Sequence, residues 1–160
     1  MKVTKIMCLL FCLTLILTNF CSCKEKEKLD VNTISEELIG MCLSGQETLE
    51  VNKSDIENRF NFDGNILGES KIQMSNDEEK FLLVAVMQLK HKKDKQTVID
   101  GINGSLKAAS ASFSVLGDAK LSKIQQRLFY EYDDILIVVV AENYEAATKY
   151  LEKIEAKKII

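Results

Sequence analysis

The sequence predicts an α+β fold in which a four-stranded antiparallel sheet has helices packed on a face. Apolar residues downstream of two N-terminal helices repeat first with the period of strands and then with the period of a helix. This strand, strand, helix order occurs twice, so the predicted layout is ββαββα. Two such units in one chain are expected to join their strands in a single sheet.

Each of the two N-terminal helices is indicated by a capping box. Residues 33–36 read Thr-Ile-Ser-Glu, and the apolar residues that follow fall on one helical face, which predicts a helix over 33–45. Residues 54–57 read Ser-Asp-Ile-Glu and predict a shorter helix that ends near Phe60. The face of the first helix carries Ile34, Leu38, Met41 and Cys42.

The first ββα unit spans residues 66 to about 117. Residues 66–74 alternate between apolar and polar, as a half-exposed strand does, with Ile66, Ile72 and Met74 on the apolar side. Residues 81–89 (FLLVAVMQL) are apolar at odd and even positions, which indicates a central strand.

A long amphipathic helix follows these two strands and ends near Gly117. Gly101 and Gly104 lie inside it and weaken it by about 1 kcal/mol each relative to alanine. We therefore expect both glycines to allow close packing against the sheet. Its buried stripe comprises Val98, Ile102, Leu106, Ala109 and Phe113.

The second ββα unit begins with a tight hairpin. Residues 127–132 alternate, residues 135–140 form a β-branched apolar run, and only Asp133 and Asp134 separate them. Asn143 is placed to cap a last helix, whose predicted buried residues are Tyr144, Ala147, Leu151 and Ile154.

Residues 1–22 have the layout of a secretory signal peptide. Lys2 and Lys5 precede an uncharged apolar run of fifteen residues from Ile6 to Phe20, and Ser22 is a small residue at the cleavage position. As a helix the run spans about 22 Å, less than the roughly 30 Å of a bilayer's hydrocarbon core. A permanent span is therefore the less favoured interpretation.

Residues 20–23, Phe-Cys-Ser-Cys, resemble the lipobox of bacterial lipoproteins, in which the cysteine after a small residue is diacylated before cleavage. Cys23 is the predicted lipidation site. A leucine is usual three residues before the cysteine, and Phe20 stands there instead, which leaves Cys21 as a second candidate. An ordinary signal peptide cut near Ser22 and an uncleaved anchor are the alternatives.

This interpretation divides the chain into three predicted segments: a lipoprotein signal peptide over residues 1–22, a lipidated cysteine with a charged tether over 23–32, and one α+β domain over 33–160. The predicted location is the outer face of the cytoplasmic membrane, where the lipid anchors the chain.

Three stretches, SDIENRF, MSNDEEKFLLVAVMQLK and LFYEYDDILIVVVAEN, resemble a family of small uncharacterised lipoproteins from low-GC Gram-positive bacteria that share a domain of unknown function. The resemblance covers roughly residues 33–158. It implies the same order of elements and lends no catalytic residues.

Charge and residue usage exclude several classes of function. Cleavage removes Lys2 and Lys5 and changes the net charge from −3 to −5, which does not suit nucleic-acid binding. His91 is the single histidine and Cys42 the single cysteine beyond residue 23, so the chain lacks the ligands of common zinc sites and cannot form an internal disulfide. Hydrolase and phosphate-loop motifs are absent. We expect no cofactor, no metal and no catalysis.

The lysine loop, defined as Lys90, Lys92, Lys93 and Lys95, is a candidate contact for anionic lipid headgroups or wall polymers. The alternative is that these lysines are simply solvated in a loop beside the start of a helix and bind nothing. Cys42 is expected in the core, which disfavours a Cys42–His91 catalytic pair.

The predicted function is a non-catalytic binding or accessory module of the cell envelope, attached to the membrane and with an envelope protein as a candidate partner. A small-ligand carrier and an envelope enzyme without a recognisable motif are the alternatives.

Replacing Cys23 with serine is expected to abolish incorporation of radiolabelled fatty acid, because the acylated sulfur is lost. Cys21→Ser should keep the label, since Ser22 supplies the small residue before Cys23. Loss of label in Cys21→Ser alone would move the cleavage site two residues upstream. Label that persists when either cysteine is replaced would contradict the lipobox interpretation of residues 20–23.

Overall fold

The computed structural model describes residues 28–76, 81–113 and 118–160, and within these ranges six strands form one antiparallel sheet. The strands lie side by side in the order β1-β2-β3-β5-β4-β6. Their bounds are Thr48–Glu50 (β1), Leu67–Ser75 (β2), Leu83–Leu89 (β3), Leu128–Tyr132 (β4), Ile135–Val140 (β5) and Lys157–Lys158 (β6).

Five α-helices lie in the described ranges. Short 3₁₀ turns at Gly64–Ile66 and Lys92–Asp94 precede β2 and the third helix. The helices are Val31–Cys42 (α1), Lys53–Phe60 (α2), Lys95–Phe113 (α3), Asp118–Gln125 (α4) and Glu145–Lys153 (α5). None of these described helices combines the length and apolarity that crossing a membrane requires.

Helices cover both faces of the sheet, whereas the sequence predicted them on one. In β3, Leu83, Ala85 and Met87 face a core built with α2, α3 and α4. Val84 and Val86 face a second core built with α1 and α5. Residues 82–87 are completely buried as a result, which is why this stretch is apolar at odd and even positions.

The α+β class and the antiparallel sheet are confirmed, but the sheet has six strands rather than four. The two additional strands, β1 and β6, are short and lie at the edges, where β1 pairs with β2 and β6 pairs with β4. The ββαββα order is also extended by α4, which follows α3. The hairpin of β4 and β5 and the central place of β3 are as predicted.

β2 departs from the predicted alternation because its register shifts between Leu67 and Ser70. Leu67 and Ile72 both face the first core although they lie at odd and even positions. An irregularity of this kind inserts a residue and reverses the parity of the side chains beyond it. Ile66, predicted as a strand residue, lies in the preceding 3₁₀ turn.

The predicted capping boxes do not form. Asp30 caps α1, and its Oδ1 accepts a hydrogen bond from the Thr33 backbone N–H at 2.7 Å. α2 begins after Asn52, which places Ser54 inside its first turn. The N-cap residue of α5 is Tyr144 rather than the predicted Asn143, although Asn143 Oδ1 accepts a hydrogen bond from the Glu145 N–H at 2.9 Å.

The two glycines of α3 have different surroundings, and neither position shows the predicted packing against the sheet. A Cβ at Gly101 would collide with the Phe60 carbonyl oxygen and would lie 2.6 Å from Phe62 Cδ1, in the segment that follows α2. A Cβ at Gly104 would meet no atom within 4 Å.

Gly101→Ala is therefore expected to destabilise the domain by about 1–3 kcal/mol, as overpacking does. Gly104→Ala should stabilise it by about 1 kcal/mol through helix propensity alone. Urea unfolding followed by circular dichroism measures both free energies, and each variant controls for the other. If both substitutions changed the free energy of unfolding in the same direction, the assigned packing of Gly101 would be contradicted.

Candidate functional site

Several connections meet at one end of the sheet, which we call the turn end and define by Asn65, residues 90–93, Asp133 and Asp134. The Leu89 N–H donates to the Asp134 carbonyl oxygen at 2.8 Å, and the Lys90 N–H donates to the Ile66 carbonyl oxygen at 3.1 Å. The first bond joins the β4–β5 turn to the end of β3, and the second joins the end of β3 to the start of β2. The antiparallel register thus gathers three connections that are distant in sequence.

The described chain enters the domain at this end. The Lys28 ammonium lies 3.5 Å from Asp133 Oδ2 and 3.7 Å from Asp134 Oδ1. The Leu29 N–H donates to the Tyr132 hydroxyl oxygen at 3.4 Å. Lys28 belongs to the predicted charged tether, so the tether meets the fold at the β4–β5 turn.

Asp134 is held in its charged form. The Gln88 side-chain amide donates to Asp134 Oδ2 at 2.9 Å, and this hydrogen bond is the main reason that the pKa of Asp134 is lowered. Lys28 lowers the same pKa to a smaller extent. Oδ1 is buried without a hydrogen bond from the residues that the structure describes, which leaves the Lys28 ammonium to compensate its charge.

The lysine loop divides into two groups. Lys92 and Lys93 are exposed, and within the described ranges neither ammonium takes part in an ion pair or hydrogen bond. Lys90 is also exposed and donates to the Asn65 carbonyl oxygen at 2.8 Å, which is a neutral acceptor, and it forms no ion pair with a described residue. Lys95 differs, since it is half-buried and its ammonium lies 2.6 Å from Glu131 Oε2.

A shallow groove of about 640 Å³ lies beside the lysine loop. It brings Lys92 together with Lys28 and Lys157, two lysines that sequence reasoning missed. Three carboxylates in the same groove offset the positive charge of these lysines. The charged residues of its lining are Lys28, Lys92, Lys157, Glu131, Asp133 and Glu155.

The structure separates Cys42 from His91. α1 begins beside Lys28 at the turn end and runs about 18 Å to Cys42 at the opposite end of the sheet. His91 is exposed at the turn end, directly before the 3₁₀ turn. The two side chains therefore form no catalytic pair in this fold.

Cys42 is half-buried against the second core, whereas the sequence predicted a core residue. It lies near the end of α1, where the helix leaves the sheet. Burial raises the pKa of its thiol to about 11, because an apolar environment disfavours the thiolate.

Cys23 and Cys21, the predicted lipidation residues, lie outside the residues that the structure describes. Lys28, five positions after Cys23, is the first described residue. In the described ranges no three histidine, cysteine or acidic side chains lie close enough together to hold a metal ion.

Comparison of the chain with protein-family models, with curated proteins and with solved structures finds no match. The resemblance to small lipoproteins therefore stays a prediction.

At pH 8 the native Cys42 thiol should react with iodoacetamide about a hundredfold more slowly than an exposed cysteine, because thiolate is the nucleophile and its fraction falls with the raised pKa. The rate should rise as the pH approaches 11. Denaturant should remove the difference, and Cys42→Ser gives the background rate. Fast labelling of the native protein would contradict the assigned burial.

Proposed function

We propose that the chain is a membrane-anchored extracytoplasmic lipoprotein and that its domain is a non-catalytic binding or accessory module of the cell envelope. We also propose that it belongs to the family of small lipoproteins that its three stretches resemble. The observation that carries the proposal is the position of Lys28, which enters the domain at an exposed end only five residues after the predicted lipidated Cys23.

The anchor and the fold are compatible in this arrangement. Residues 24–27 read Lys-Glu-Lys-Glu and carry no apolar side chain that the domain would have to bury. Two acyl chains at about 0.8 kcal/mol per buried CH₂ hold a protein stably on a bilayer, whereas one chain binds only marginally. Membrane attachment then needs no spanning helix in the domain.

A binding or accessory role is favoured over catalysis by the placement of the reactive side chains. Cys42 and His91, the two side chains that could act together as nucleophile and general base, lie at opposite ends of the sheet. The exposed lysines of the turn end suit recognition of an anionic surface rather than a chemical step.

A small-ligand carrier is the second candidate, and the groove beside Lys92 favours it. Its volume of about 640 Å³ lies within the range of about 300–1,000 Å³ that is usual for ligand pockets. The groove is shallow, however, and most ligand pockets bury the greater part of their ligand. The accessory role therefore remains the better supported of the two.

The proposal predicts that the wild-type chain, expressed in a Gram-positive host, fractionates with membranes and is digested by protease added to intact protoplasts. Cys23→Ser should leave the membrane fraction, because the acyl chains are lost. Cys42→Ser is the matched control and should stay with the membranes. Protection of the wild-type domain in intact protoplasts would place it inside the cell and would overturn the proposal.

A further inference from the structure

We propose that the turn end is the membrane-facing surface of the domain and that Lys90, Lys92 and Lys93 bind anionic phospholipid headgroups of the bilayer that holds the anchor. This inference rests on the proposed function, because it requires an acyl group at Cys23. It goes further in assigning an orientation, a set of contact residues and one lipid chemistry.

The short distance from the anchor fixes which end is near the membrane. Five Cα–Cα steps separate Cys23 from Lys28, so their Cα atoms lie at most about 18 Å apart. β3, with seven residues, extends about 23 Å from the turn end to the opposite end of the sheet. The turn end is therefore within reach of the headgroups while the opposite end stands away from them.

Packing of α1 holds the tether at that place. Val31 and Ile34, in the first turn of α1, are buried in the second core, and Leu29 packs against the same core. The Lys28 ion pairs with Asp133 and Asp134 are partly exposed and add little stability of their own. They do direct the chain along the β4–β5 turn, next to the lysine loop.

The charge distribution favours the same orientation. The chain from residue 23 onward carries a net charge of −5, so an anionic bilayer repels the domain as a whole. Among the described residues, the ammonium groups of Lys90, Lys92 and Lys93 are in no ion pair, so they are the groups at the turn end that can contact an anionic surface.

Neighbouring charges define which groups contribute. Lys28 is shared by Asp133 and Asp134 and offsets one of their two negative charges, and Lys95 is neutralised by Glu131. Asp63 and Asp94 lie beside the lysines and reduce their field without pairing with them among the described residues. We therefore assign the contact to three lysines and exclude Lys95 from the predicted set of four.

The test uses the mature lipidated protein, residues 23–160, with Cys42→Ser and one new cysteine for a fluorophore. Asn65→Cys places the probe at the turn end, and Ser44→Cys places it at the opposite end; both positions are exposed. In vesicles of phosphatidylglycerol and phosphatidylcholine, a spin-labelled headgroup should quench the Asn65→Cys probe more strongly than the Ser44→Cys probe. Raising the salt concentration should reduce the difference, because mobile ions screen the lysines.

Replacing Lys90, Lys92 and Lys93 with glutamine should lower the docked-to-undocked ratio about a hundredfold, at about fivefold for each lysine near an anionic surface. The matched control replaces Lys107, Lys123 and Lys149, which lie away from the turn end, and removes the same charge. The control should keep the difference in quenching.

The outcomes separate this inference from the proposed function. Failure to float with vesicles means that the anchor, and the proposed function with it, is wrong. Flotation with equal quenching of both probes overturns the orientation alone. If the two probes are still quenched to different extents in vesicles of pure phosphatidylcholine, the proposed contact with anionic headgroups is wrong. Loss of binding to purified wall polymer in the triple variant, with its vesicle orientation unchanged, would reassign the lysines to that polymer and overturn the lipid assignment.

Discussion

Burial of β3 on both faces is the constraint on which the rest of the structure depends. Six consecutive side chains, residues 82–87, have no exposed surface, and β3 is hydrogen-bonded to β2 on one edge and to β5 on the other. An apolar side chain of this size contributes about 1.5–3 kcal/mol when it is fully buried. If either face of β3 were left in water, about half of these side chains would lose that stabilisation. The fold therefore needs a helical layer on each side of the sheet.

This constraint makes α1 part of the core rather than an N-terminal extension. Val31, Ile34 and Leu38 are almost completely buried where they cover Val84 and Val86. To cover β3 along its length, α1 runs in the opposite direction to the strand, so its first residue lies where β3 ends. The place at which the tether leaves the domain is thus set by core packing.

Patterns within one segment were readable from the sequence, and contacts between distant segments were not. The apolar run 81–89 and the two aspartates between β4 and β5 predicted a central strand and a hairpin because each signal is local. The edge strands β1 and β6 have only three residues, Thr-Leu-Glu, and two residues, Lys-Lys, which is too short for a period to identify a strand. They form because neighbouring strands offer free hydrogen-bonding groups. Helices on one face were wrongly predicted because sequence periodicity does not say which side of a sheet a helix covers.

The same distinction applies to the candidate site. The sequence itself shows the run of lysines at 90–95. The Lys95–Glu131 pair joins residues 36 positions apart and can be recognised only in the folded structure. Lys28 was assigned to a solvated tether, and the fold instead places it against Asp133 and Asp134. The charge that a surface presents therefore depends on which lysines the fold has already paired. At the turn end folding pairs Lys95 with Glu131, whereas Lys90, Lys92 and Lys93 form no ion pair with the residues that the structure describes.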